Sequence, residues 1–334
     1  MTALFPPGQR SASELEARIS LQALSAAPDF VWDAIVVGAG PAGMNAALVL
    51  GRCRRRVLVL DNERPRNHAS HAMHGFLGHD GVDPKRFRSI ARAELGSYPS
   101  VVVQEATVSN ASNVDGMFWL RTVDGELFKA RKLLVASGVV DELPSAPGFR
   151  ELFGKGVFLC PYCDGWEVRD QALAVYGRGD DKGGGLAIEM RQWSADVVLC
   201  SDGPSGLSAA CQSRLARHNI IVREDKIAGL QIHSDEPYRS SFDIVFESSA
   251  RLQRAALFFN THRHQSTDLA AQLGCKGYAS EGCEIDNRQQ ASSIPGLYIA
   301  GDASRDVLQV VVAASEGAQA AIAINAALIE EDFV

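Results

Sequence analysis

Short apolar runs alternate with amphipathic segments along most of the chain, and one order of elements occurs twice. Residues 33–37 form an apolar strand pattern that runs into glycines, 44–52 predict a helix, and 56–61 form a second apolar strand that ends in an acid. Residues 171–179, 186–192 and 195–200 repeat the order strand, helix, strand. Each alternation predicts a βαβ unit, so we expect an α/β protein with two Rossmann-like folds.

The remaining patterns complete these two folds. Strand-like segments occur at residues 101–104, 118–123, 126–128, 132–138, 255–260 and 294–302, and helical patterns occur at 267–273 and 308–328. Asp124-Gly125 predicts a hairpin turn, and the turn-rich segment 143–148 predicts a domain boundary. Residues 1–31 predict an appended N-terminal arm with a short helix.

Composition and charge narrow the class of protein. A chain of 334 residues suits two domains, and 46% hydrophobic with 22% charged residues is ordinary for globular proteins. A formal net charge of −7 argues against a nucleic-acid surface. The longest apolar runs, such as 34–37 and 310–314, are far shorter than a membrane span, and the first thirty residues lack a signal-peptide core. We expect a cytoplasmic protein that binds neither nucleic acid nor membrane.

The first βαβ unit carries a dinucleotide-binding fingerprint. Gly38, Gly40 and Gly43 give the spacing GxGxxG directly after the strand and at the start of the helix. Glycines there let the backbone approach a pyrophosphate at the helix N-terminus, where unpaired N–H groups and the helix dipole favour negative charge. Asp61, 18 residues after Gly43, lies where a carboxylate can hold ribose hydroxyls.

The second βαβ unit departs from this fingerprint. Its glycines, Gly177, Gly179 and Gly183, are one residue out of the usual spacing, and two acids, Asp180 and Asp181, lie in the loop that would receive a phosphate. Its second strand ends in Ser-Asp-Gly at residues 201–203, whereas a 2′-phosphate requires Arg or Lys there. The local charge is therefore wrong for NADPH.

The segment CPYCDGW, residues 160–166, contains the closest pair among seven cysteines. A structural disulfide framework is not expected in a cytoplasmic protein with an odd number of cysteines. A structural zinc site needs four ligands, and Cys160 and Cys163 have no partner pair in the sequence, so we expect no metal. A redox-active dithiol is the leading interpretation, while the other cysteines, Cys275 and Cys283 among them, are interpreted as small buried apolar side chains.

These features together resemble the low-molecular-weight thioredoxin reductase family of flavoproteins, over residues 32–330. The resemblance rests on the segments GAGPAG at 38–43, ASG at 136–138, CPYCDG at 160–165 and GD at 301–302. It implies a discontinuous FAD-binding domain, residues 32–138 and 263–334, and an inserted NADPH-like domain, residues 139–262, that carries the dithiol. It also implies a homodimer.

The resemblance implies FAD-binding positions along both halves of the first domain. The ADP half would be bound by Gly38, Gly40, Pro41, Ala42, Gly43 and Asp61; the ribityl or pyrophosphate region by Gly301 and Asp302; and the flavin ring region would lie near Asn67, His74, Gln309 and Val310. Gln309 and Val310 would begin the last helix, whose positive N-terminal dipole would stabilise a reduced, anionic flavin.

For the dithiol, the resemblance implies that Cys163 faces the flavin and that Cys160 exchanges with substrate. The thiolate is the attacking species, and the position at a helix start lowers one thiol's pKa. Asp164 can pass a proton to or from the leaving thiolate. A simpler interpretation of Asp164, an acid in the first turn of a helix, stays open.

The chain also departs from the family. The usual GxGxxA and the basic HRRxxxR of the nicotinamide domain are missing, and Leu308-Gln309 replaces the usual Arg-Gln. The loop CPYC and the segment 64–78 resemble a side branch of the family that includes dithiol oxidases and divergent reductases without the NADPH motifs. In the dithiol oxidases a His commonly follows the second Cys; here it is Asp164, as in true thioredoxin reductases. An aromatic near the C-terminus, Phe333, is a candidate for covering the flavin in place of nicotinamide.

The leading hypothesis is an FAD-dependent dithiol/disulfide oxidoreductase of thioredoxin-reductase type, with doubtful NADPH use. Its partner would be a thioredoxin-like protein or a small-molecule dithiol or disulfide. Two alternatives stay open. One is an oxidase that closes a disulfide in a small molecule with oxygen as acceptor, and the other is a flavin-bound redox sensor.

Overall fold

The computed structural model describes residues 30–260, 262–275, 285–286, 288–304 and 307–333. These residues divide into two compact units. Unit 1 comprises 30–68, 85–140 and the described residues from 264 onward, and unit 2 comprises Ala69–Pro84 and Asp141–Arg263. The predicted N-terminal arm and Cys283 lie outside the described residues, apart from residues 30 and 31 of the arm.

The two units are built from strands joined by helices. The strands, in chain order, are β1 (Val31–Val37), β2 (Val57–Asp61), β3 (Val101–Glu105), β4 (Val108–Val114), β5 (Met117–Thr122), β6 (Leu127–Val135), β7 (Val139–Asp141), β8 (Val157–Phe158), β9 (Leu173–Tyr176), β10 (Val197–Cys200), β11 (Ile221–Arg223), β12 (Ile227–Ser234), β13 (Ser241–Phe246), β14 (Leu252–Arg254), β15 (Ala256–Phe259), β16 (Arg263–Gln265), β17 (Ile285–Asp286), β18 (Ala291–Ser292) and β19 (Leu297–Ile299). The helices are α1 (Pro41–Arg52), α2 (Pro84–Leu95), α3 (Phe149–Leu152), α4 (Pro161–Asp164), α5 (Leu186–Met190), α6 (Ala209–Arg217), α7 (Leu269–Gln272) and α8 (Val310–Phe333), with 3-10 turns at Arg66–Ala69 and Gly301–Ala303 and a π-helical segment at Gly179–Gly185.

Unit 1 has a parallel sheet with helices on one face and further strands on the other. Parallel pairing gives the order β19-β6-β1-β2-β3, and β4 and β5 continue from β6 in antiparallel pairing. Alternate residues of β1 face opposite layers, as the two-residue period of a strand requires. Ala34 and Val36 pack in the cluster with α1 and α8, and Ile35 and Val37 pack in the cluster with β4 and β5.

Unit 2 has the same layered plan. Its five strands are all parallel, in the order β11-β10-β9-β15-β8. One face packs against α5 and α6, and the other packs against the antiparallel strands β12-β13-β14. The predicted fold class, two Rossmann-like three-layer domains of which the first is discontinuous, is confirmed.

The structure differs from the predicted boundaries in one segment. Residues 69–84, placed with the first domain by the sequence, cluster with unit 2. The reason is direct contact with the rest of unit 2. Gly154 lies so close to Ala69 that a Cβ on it would be 2.2 Å from the Ala69 carbonyl oxygen, and His74 lies 3.6 Å from Glu167. These contacts depend on residues far apart in sequence, so no local pattern predicts them.

The last helix is a core element of unit 1. By length and composition alone α8 would be able to cross a membrane. Its apolar residues instead join the cluster that α1 forms on the sheet, and those buried there are Ala313, Ala320, Ala321, Ile324 and Leu328. The C-terminal end of α8 is held by ion pairs from Asp332 to Arg55 and Arg131, the latter at 2.7 Å.

Candidate functional site

The loop between β1 and α1 is shaped for a close approach to the backbone. Gly38 has a φ of +103°, and a Cβ at Gly43 would lie 1.9 Å from the Gly38 carbonyl oxygen, so both positions require glycine. A Cβ at Gly40 would meet nothing within 4 Å. No side chain caps α1, and Pro41 occupies its first turn. The loop thus offers open space in front of uncapped N–H groups, which is what a pyrophosphate requires.

Small residues bring the start of α1 close to the last helix and to the turn Gly301–Ala303. A Cβ at Gly317 would lie 2.0 Å from the Ala42 carbonyl oxygen, and one at Gly301 would lie 2.9 Å from the Ala42 Cβ. Asn45 Nδ2 donates to the Ala314 carbonyl oxygen at 2.6 Å. The structure therefore brings three predicted parts together: the first glycine loop, the Gly301-Asp302 pair and the helix that begins after Gln309.

Asp302 and the segment of Asn67 lie side by side in unit 1. Arg66 Nη1 lies 2.9 Å from Asp302 Oδ2, and the half-buried Asn67 follows Arg66 in the same 3-10 turn. Asp302 itself is half-buried. The carboxylate thus belongs to the turn that lies against the start of α1, and the Arg66 guanidinium is bound to it.

Asp61 is more constrained than its sequence position suggests. Its Oδ1 accepts the N–H of Ala39 at 3.0 Å, and its Oδ2 accepts from Arg88 at 2.9 Å and from Arg92 at 2.8 Å. A ribose hydroxyl would therefore share this carboxylate with two arginines of α2. Neither arginine was predicted as a site residue, although their spacing of four residues places both on one helix face.

A buried acid on α8 was also missed. Glu316 Oε2 accepts the N–H of Gly301 at 2.8 Å and the hydroxyl of Ser304 at 2.8 Å, and the side chain is buried. It fixes the turn that carries Asp302. Its signal in the sequence is a carboxylate within the alanine-rich apolar part of the helix, remote from the acids at its C-terminal end, because a buried charge requires hydrogen-bond partners.

The two cysteines of CPYC lie in unit 2 and form a disulfide. Their Cα atoms are 5.2 Å apart, Cys160 is the N-cap of the short helix α4, and the N–H of Cys163 donates to the Cys160 carbonyl oxygen at 3.1 Å. The side chains that flank the pair, Tyr162 and Trp166, are 66% and 64% exposed. The predicted position at a helix start is confirmed.

Asp164 lies in a group of ionisable side chains of unit 2. Burial raises its pKa to about 7, the hydrogen bond from the Tyr238 hydroxyl at 3.3 Å lowers it, the charge of Glu167 raises it and that of His74 lowers it. Burial also raises the pKa of Tyr238 above its usual range, so the phenol stays protonated and donates. An acid with a pKa near 7 can both take and give a proton at neutral pH.

His74, predicted beside the flavin, lies within unit 2 in this group. Its Nε2 is 3.6 Å from Glu167 Oε1 and its Nδ1 is 3.4 Å from Asp80 Oδ1. Its ring lies 6.4 Å from that of Tyr238, centroid to centroid. The contacts that the structure gives to His74 are thus with the surroundings of Asp164.

The second glycine loop is hydrogen-bonded to another segment of its own chain, although a Cβ at Gly179 would meet nothing within 4 Å. The N–H of Gly179 donates to the Ser205 carbonyl oxygen at 2.8 Å, and Asp180 Oδ1 accepts the N–H of Ser208 at 2.8 Å. A Cβ at Gly184 would lie 2.2 Å from Cys211 Sγ. The segment around Ser205 therefore lies against the N-terminal end of the π-helical segment, where a pyrophosphate would have to bind.

The end of β10 is not free of basic residues, so that part of the sequence analysis is wrong. Arg178 Nη2 and Lys226 Nζ each lie 3.6 Å from Asp202 Oδ2. Arg178 Nε also donates to the Ser201 carbonyl oxygen at 2.6 Å. Sequence proximity could not show Lys226 because it comes from the turn before β12. The Arg178 guanidinium is thus hydrogen-bonded at this end of the strand, and the positive charge of the Lys226 ammonium lies beside the negative charge of Asp202.

Two further predictions are wrong. Cys53, which was predicted to be a small buried side chain, is exposed, whereas Cys275 is buried as predicted and is disulfide-bonded. Phe333 does not cover the flavin region of its own chain. It is 82% exposed at the C-terminal end of α8, beside the Arg131 end of the sheet, whereas the flavin region was assigned to the N-terminal end of that helix. A helix rises about 1.5 Å per residue, so its 24 residues separate the two ends by roughly 35 Å.

The geometry of unit 1 fits an ADP-containing cofactor. The open space at Gly40, the uncapped start of α1 and the carboxylates Asp61 and Asp302 lie around one loop. These features match a pyrophosphate with its adjoining hydroxyls.

Comparison with known proteins agrees with this geometry. The family described as pyridine nucleotide-disulphide oxidoreductase matches residues 32–318. A probable thioredoxin reductase of Arthroderma benhamiae is 28% identical and aligns over 96% of this chain and 86% of its own length. The thioredoxin reductase of Aquifex aeolicus is 27% identical over 89% of this chain and 94% of its own length.

Among solved structures, TrxB of Bacillus anthracis is 36% identical to this chain. It aligns over 90% of this chain and 100% of its own, with a TM-score of 0.84. The similarity thus extends across both units and is not limited to the nucleotide-binding loop.

Proposed function

Since the chain belongs to the pyridine nucleotide-disulphide oxidoreductase family and resembles its thioredoxin reductases over nearly its whole length, we propose that it is an FAD-dependent dithiol/disulfide oxidoreductase that does not take its electrons from a nicotinamide nucleotide. The pair Cys160–Cys163 exchanges with a substrate disulfide or dithiol. The observation that carries the proposal is the hydrogen bond from Gly179 to Ser205, which occupies an N–H that a pyrophosphate would need.

FAD would be held by unit 1, as the open first loop supports. The residues that we assign to it are Gly38, Gly40, Pro41, Ala42, Gly43, Asp61, Asn67, Gly301, Asp302, Gln309 and Val310. Bound FAD supplies a two-electron acceptor or donor for the dithiol. The uncapped N-terminus of α1 and the positive N-terminal dipole of α8 favour its negatively charged groups.

The chain's own residues carry the thiol chemistry. A thiolate at Cys160 attacks the substrate disulfide, and Cys163 resolves the mixed disulfide. The short spacing and the position at the start of α4 keep the two sulfur atoms within bonding reach of each other. Asp164 gives a proton to, or takes one from, the thiol of the pair.

The substrate is a thioredoxin-like protein or a small-molecule dithiol or disulfide, as the names of the relatives and the exposed disulfide surroundings support. We also propose a cytoplasmic homodimer, on the family resemblance and on the composition.

Direct nucleotide binding tests the proposal. The holoenzyme is titrated with NADPH and NADH by calorimetry up to millimolar concentration, with FAD titrated into the flavin-free protein as the positive control. We expect saturable FAD binding and no saturable binding of either nicotinamide nucleotide. Tight binding of NADPH would overturn the exclusion of a nicotinamide donor.

The same hydrogen bond at Gly179 favours a second candidate function, an oxidase of small dithiols. If no nucleotide delivers electrons, the dithiol is the donor and oxygen is one possible acceptor. Oxygen uptake with stoichiometric peroxide release during dithiol oxidation supports the oxidase. Flavin binding without any exchange between the thiols and the flavin would support the third candidate, a redox sensor.

A further inference from the structure

Five ionisable side chains from three segments of unit 2 form a group behind the disulfide. Asp164 and Glu167 follow Cys163 in sequence, Tyr238 precedes β13, and His74 and Asp80 belong to the segment 69–84. Asp80 is exposed, while the side chains of Glu167 and His74 are only 18% and 16% exposed. The group thus extends from the half-buried acid of the active site to the surface of the unit.

Glu167, His74 and Asp80 are in contact in a defined order, and a separate hydrogen bond joins Tyr238 to Asp164. The Tyr238 hydroxyl donates to Asp164 Oδ1 at 3.3 Å. Glu167 Oε1 lies 3.6 Å from His74 Nε2, and His74 Nδ1 lies 3.4 Å from Asp80 Oδ1. Asp80 is held in place by the N–H of Gly75 at 2.9 Å. The imidazole therefore lies between a buried and an exposed carboxylate.

Two atoms in the middle of this order have unused hydrogen-bonding capacity. His74 Nε2 and Glu167 Oε2 are buried and make no hydrogen bond within the part of the chain that the structure describes. Burying such atoms without a hydrogen-bond partner costs free energy, so their presence in a folded protein calls for an explanation. An imidazole can accept a proton at one nitrogen and release another from the second, which makes it suited to this position.

We propose that Glu167 and His74 are positioning residues that set the protonation of Asp164 and carry its proton to and from Asp80 while the disulfide opens and closes. The inference rests on the proposed function. Opening the disulfide consumes two electrons and two protons, S–S + 2 e⁻ + 2 H⁺ → 2 SH, and closing it releases them. The electrons belong to the flavin assigned above, and one of the protons passes through Asp164.

The surroundings of Asp164 support this order of transfer. Its pKa of about 7 results first from burial and is raised further by Glu167 and lowered by His74. Removing each partner should therefore move the titration of Asp164 in opposite directions. A residue that only supported the fold would give no such pair of opposite shifts.

The first test measures this titration in the reduced holoenzyme. The rate of alkylation of the Cys160–Cys163 thiols by iodoacetamide is recorded against pH for wild type, His74→Asn and Glu167→Gln. The control is His233→Asn, which also removes a paired histidine of unit 2, 3.1 Å from Asp243. We expect the inflection due to Asp164 to move to higher pH in His74→Asn, to lower pH in Glu167→Gln, and to stay unchanged in the control. Shifts in one direction, or none, would overturn the proposal.

The second test measures proton transfer itself. Dithiothreitol reduces the bound flavin anaerobically at neutral pH, with and without added imidazole as an exogenous proton carrier. We expect His74→Asn to slow the reaction by roughly tenfold or more, in the range of general acid–base effects, and imidazole to restore it. A loss that imidazole does not restore would contradict the relay. If dithiothreitol does not reduce the wild-type flavin, the proposed function fails, and the alkylation profiles still decide the inference.

Discussion

The N–H of Gly179 donates to the carbonyl oxygen of Ser205 at 2.8 Å. Gly179 is the second glycine of its loop, as Gly40 is in unit 1, and a Cβ at either position would meet nothing within 4 Å. The two units share a layered fold, and their glycine loops differ in this hydrogen bond, which occupies the Gly179 N–H. We infer that unit 1 binds a nucleotide cofactor, whereas unit 2 has the same fold without that cofactor and carries the dithiol.

Gly40→Ala separates cofactor binding from folding. The backbone at Gly40, with φ −72° and ψ −178°, suits any residue. We expect the free energy of unfolding of the flavin-free protein to stay within about 0.5 kcal/mol of wild type. The FAD affinity should fall by roughly tenfold or more, about 1.4 kcal/mol, because the methyl group enters the space for the pyrophosphate. Denaturant unfolding and FAD titration check both. Unchanged FAD affinity would contradict this use of the loop.

Gly43→Ala is the matched contrast. Its Cβ would lie 1.9 Å from the Gly38 carbonyl oxygen, so the strand and the helix have to move apart. We expect the flavin-free protein to lose several kcal/mol of unfolding free energy, on the order of an overpacked core position. The same denaturant series measures it. A flavin-free Gly43→Ala protein as stable as wild type would show that this contact is not what shapes the loop.

Single-cysteine variants at Cys160 and Cys163 should differ in whether they form a stable mixed disulfide with a disulfide reagent. In a Cys53→Ser background, which removes the exposed free thiol, Cys163→Ser leaves Cys160 to attack an aromatic disulfide reagent with no resolving thiol. We expect intact-mass spectrometry to show one stable adduct on Cys163→Ser and little on Cys160→Ser. Both variants should lose dithiol-driven reduction of FAD. Adducts of equal yield would mean that the assigned roles are not distinct.

Asp164→Asn should stabilise the protein at neutral and higher pH. The pKa of this carboxyl is raised from 3.8 to about 7, mainly by burial. Below about pH 3 it is protonated in both folded and unfolded chains. As pH rises from about 3 to 7 the unfolded chain ionises first, so wild-type stability falls. The variant, which does not titrate, should gain up to about 4 kcal/mol over wild type at pH 8 and almost nothing at about pH 3. The exposed Asp170, changed to Asn, serves as control for denaturant unfolding at both pH values. A gain that is the same at both pH values would exclude the raised pKa as its cause.

Glu316→Ala should loosen the turn of Asp302. The substitution leaves the Gly301 N–H and the Ser304 hydroxyl without the buried carboxylate that accepts from both. We expect a loss of about 2–4 kcal/mol in unfolding free energy, together with weaker FAD binding. Glu330→Ala, an exposed acid on the same helix, should change neither. If Glu316→Ala binds FAD as tightly as wild type, the turn does not contribute to the cofactor site.

Sequence patterns predicted the elements of this protein because they depend on local periodicity. Residues close together in sequence predict three of its features: the strand that ends at Val37, the helix that ends at Arg52 and the closely spaced pair Cys160 and Cys163. The glycine fingerprint carries its own geometry, since only glycine fits the conformation of Gly38.

What the sequence could not show depends on contacts between distant segments. His74 meets Glu167, 93 positions away, and Lys226 reaches Asp202 from another strand connection. Ser205 binds the Gly179 N–H of the second glycine loop through its backbone carbonyl oxygen, and every residue type has such an oxygen, so the sequence does not indicate this contact. The length of α8 was also underestimated: the pattern predicted an end at residue 328, but the ion pairs of Asp332 extend the helix to Phe333.

An anaerobic visible-light titration of the purified holoenzyme with NADPH, NADH and a dithiol in turn tests the central proposal most directly. We predict that the dithiol bleaches the flavin band and that neither nucleotide does. The reason is that Ser205 occupies the Gly179 N–H of the second glycine loop, so electrons pass through Cys160 and Cys163. Bleaching by stoichiometric NADPH would contradict this account, since it would show that the loop at Gly179 opens to admit the nucleotide.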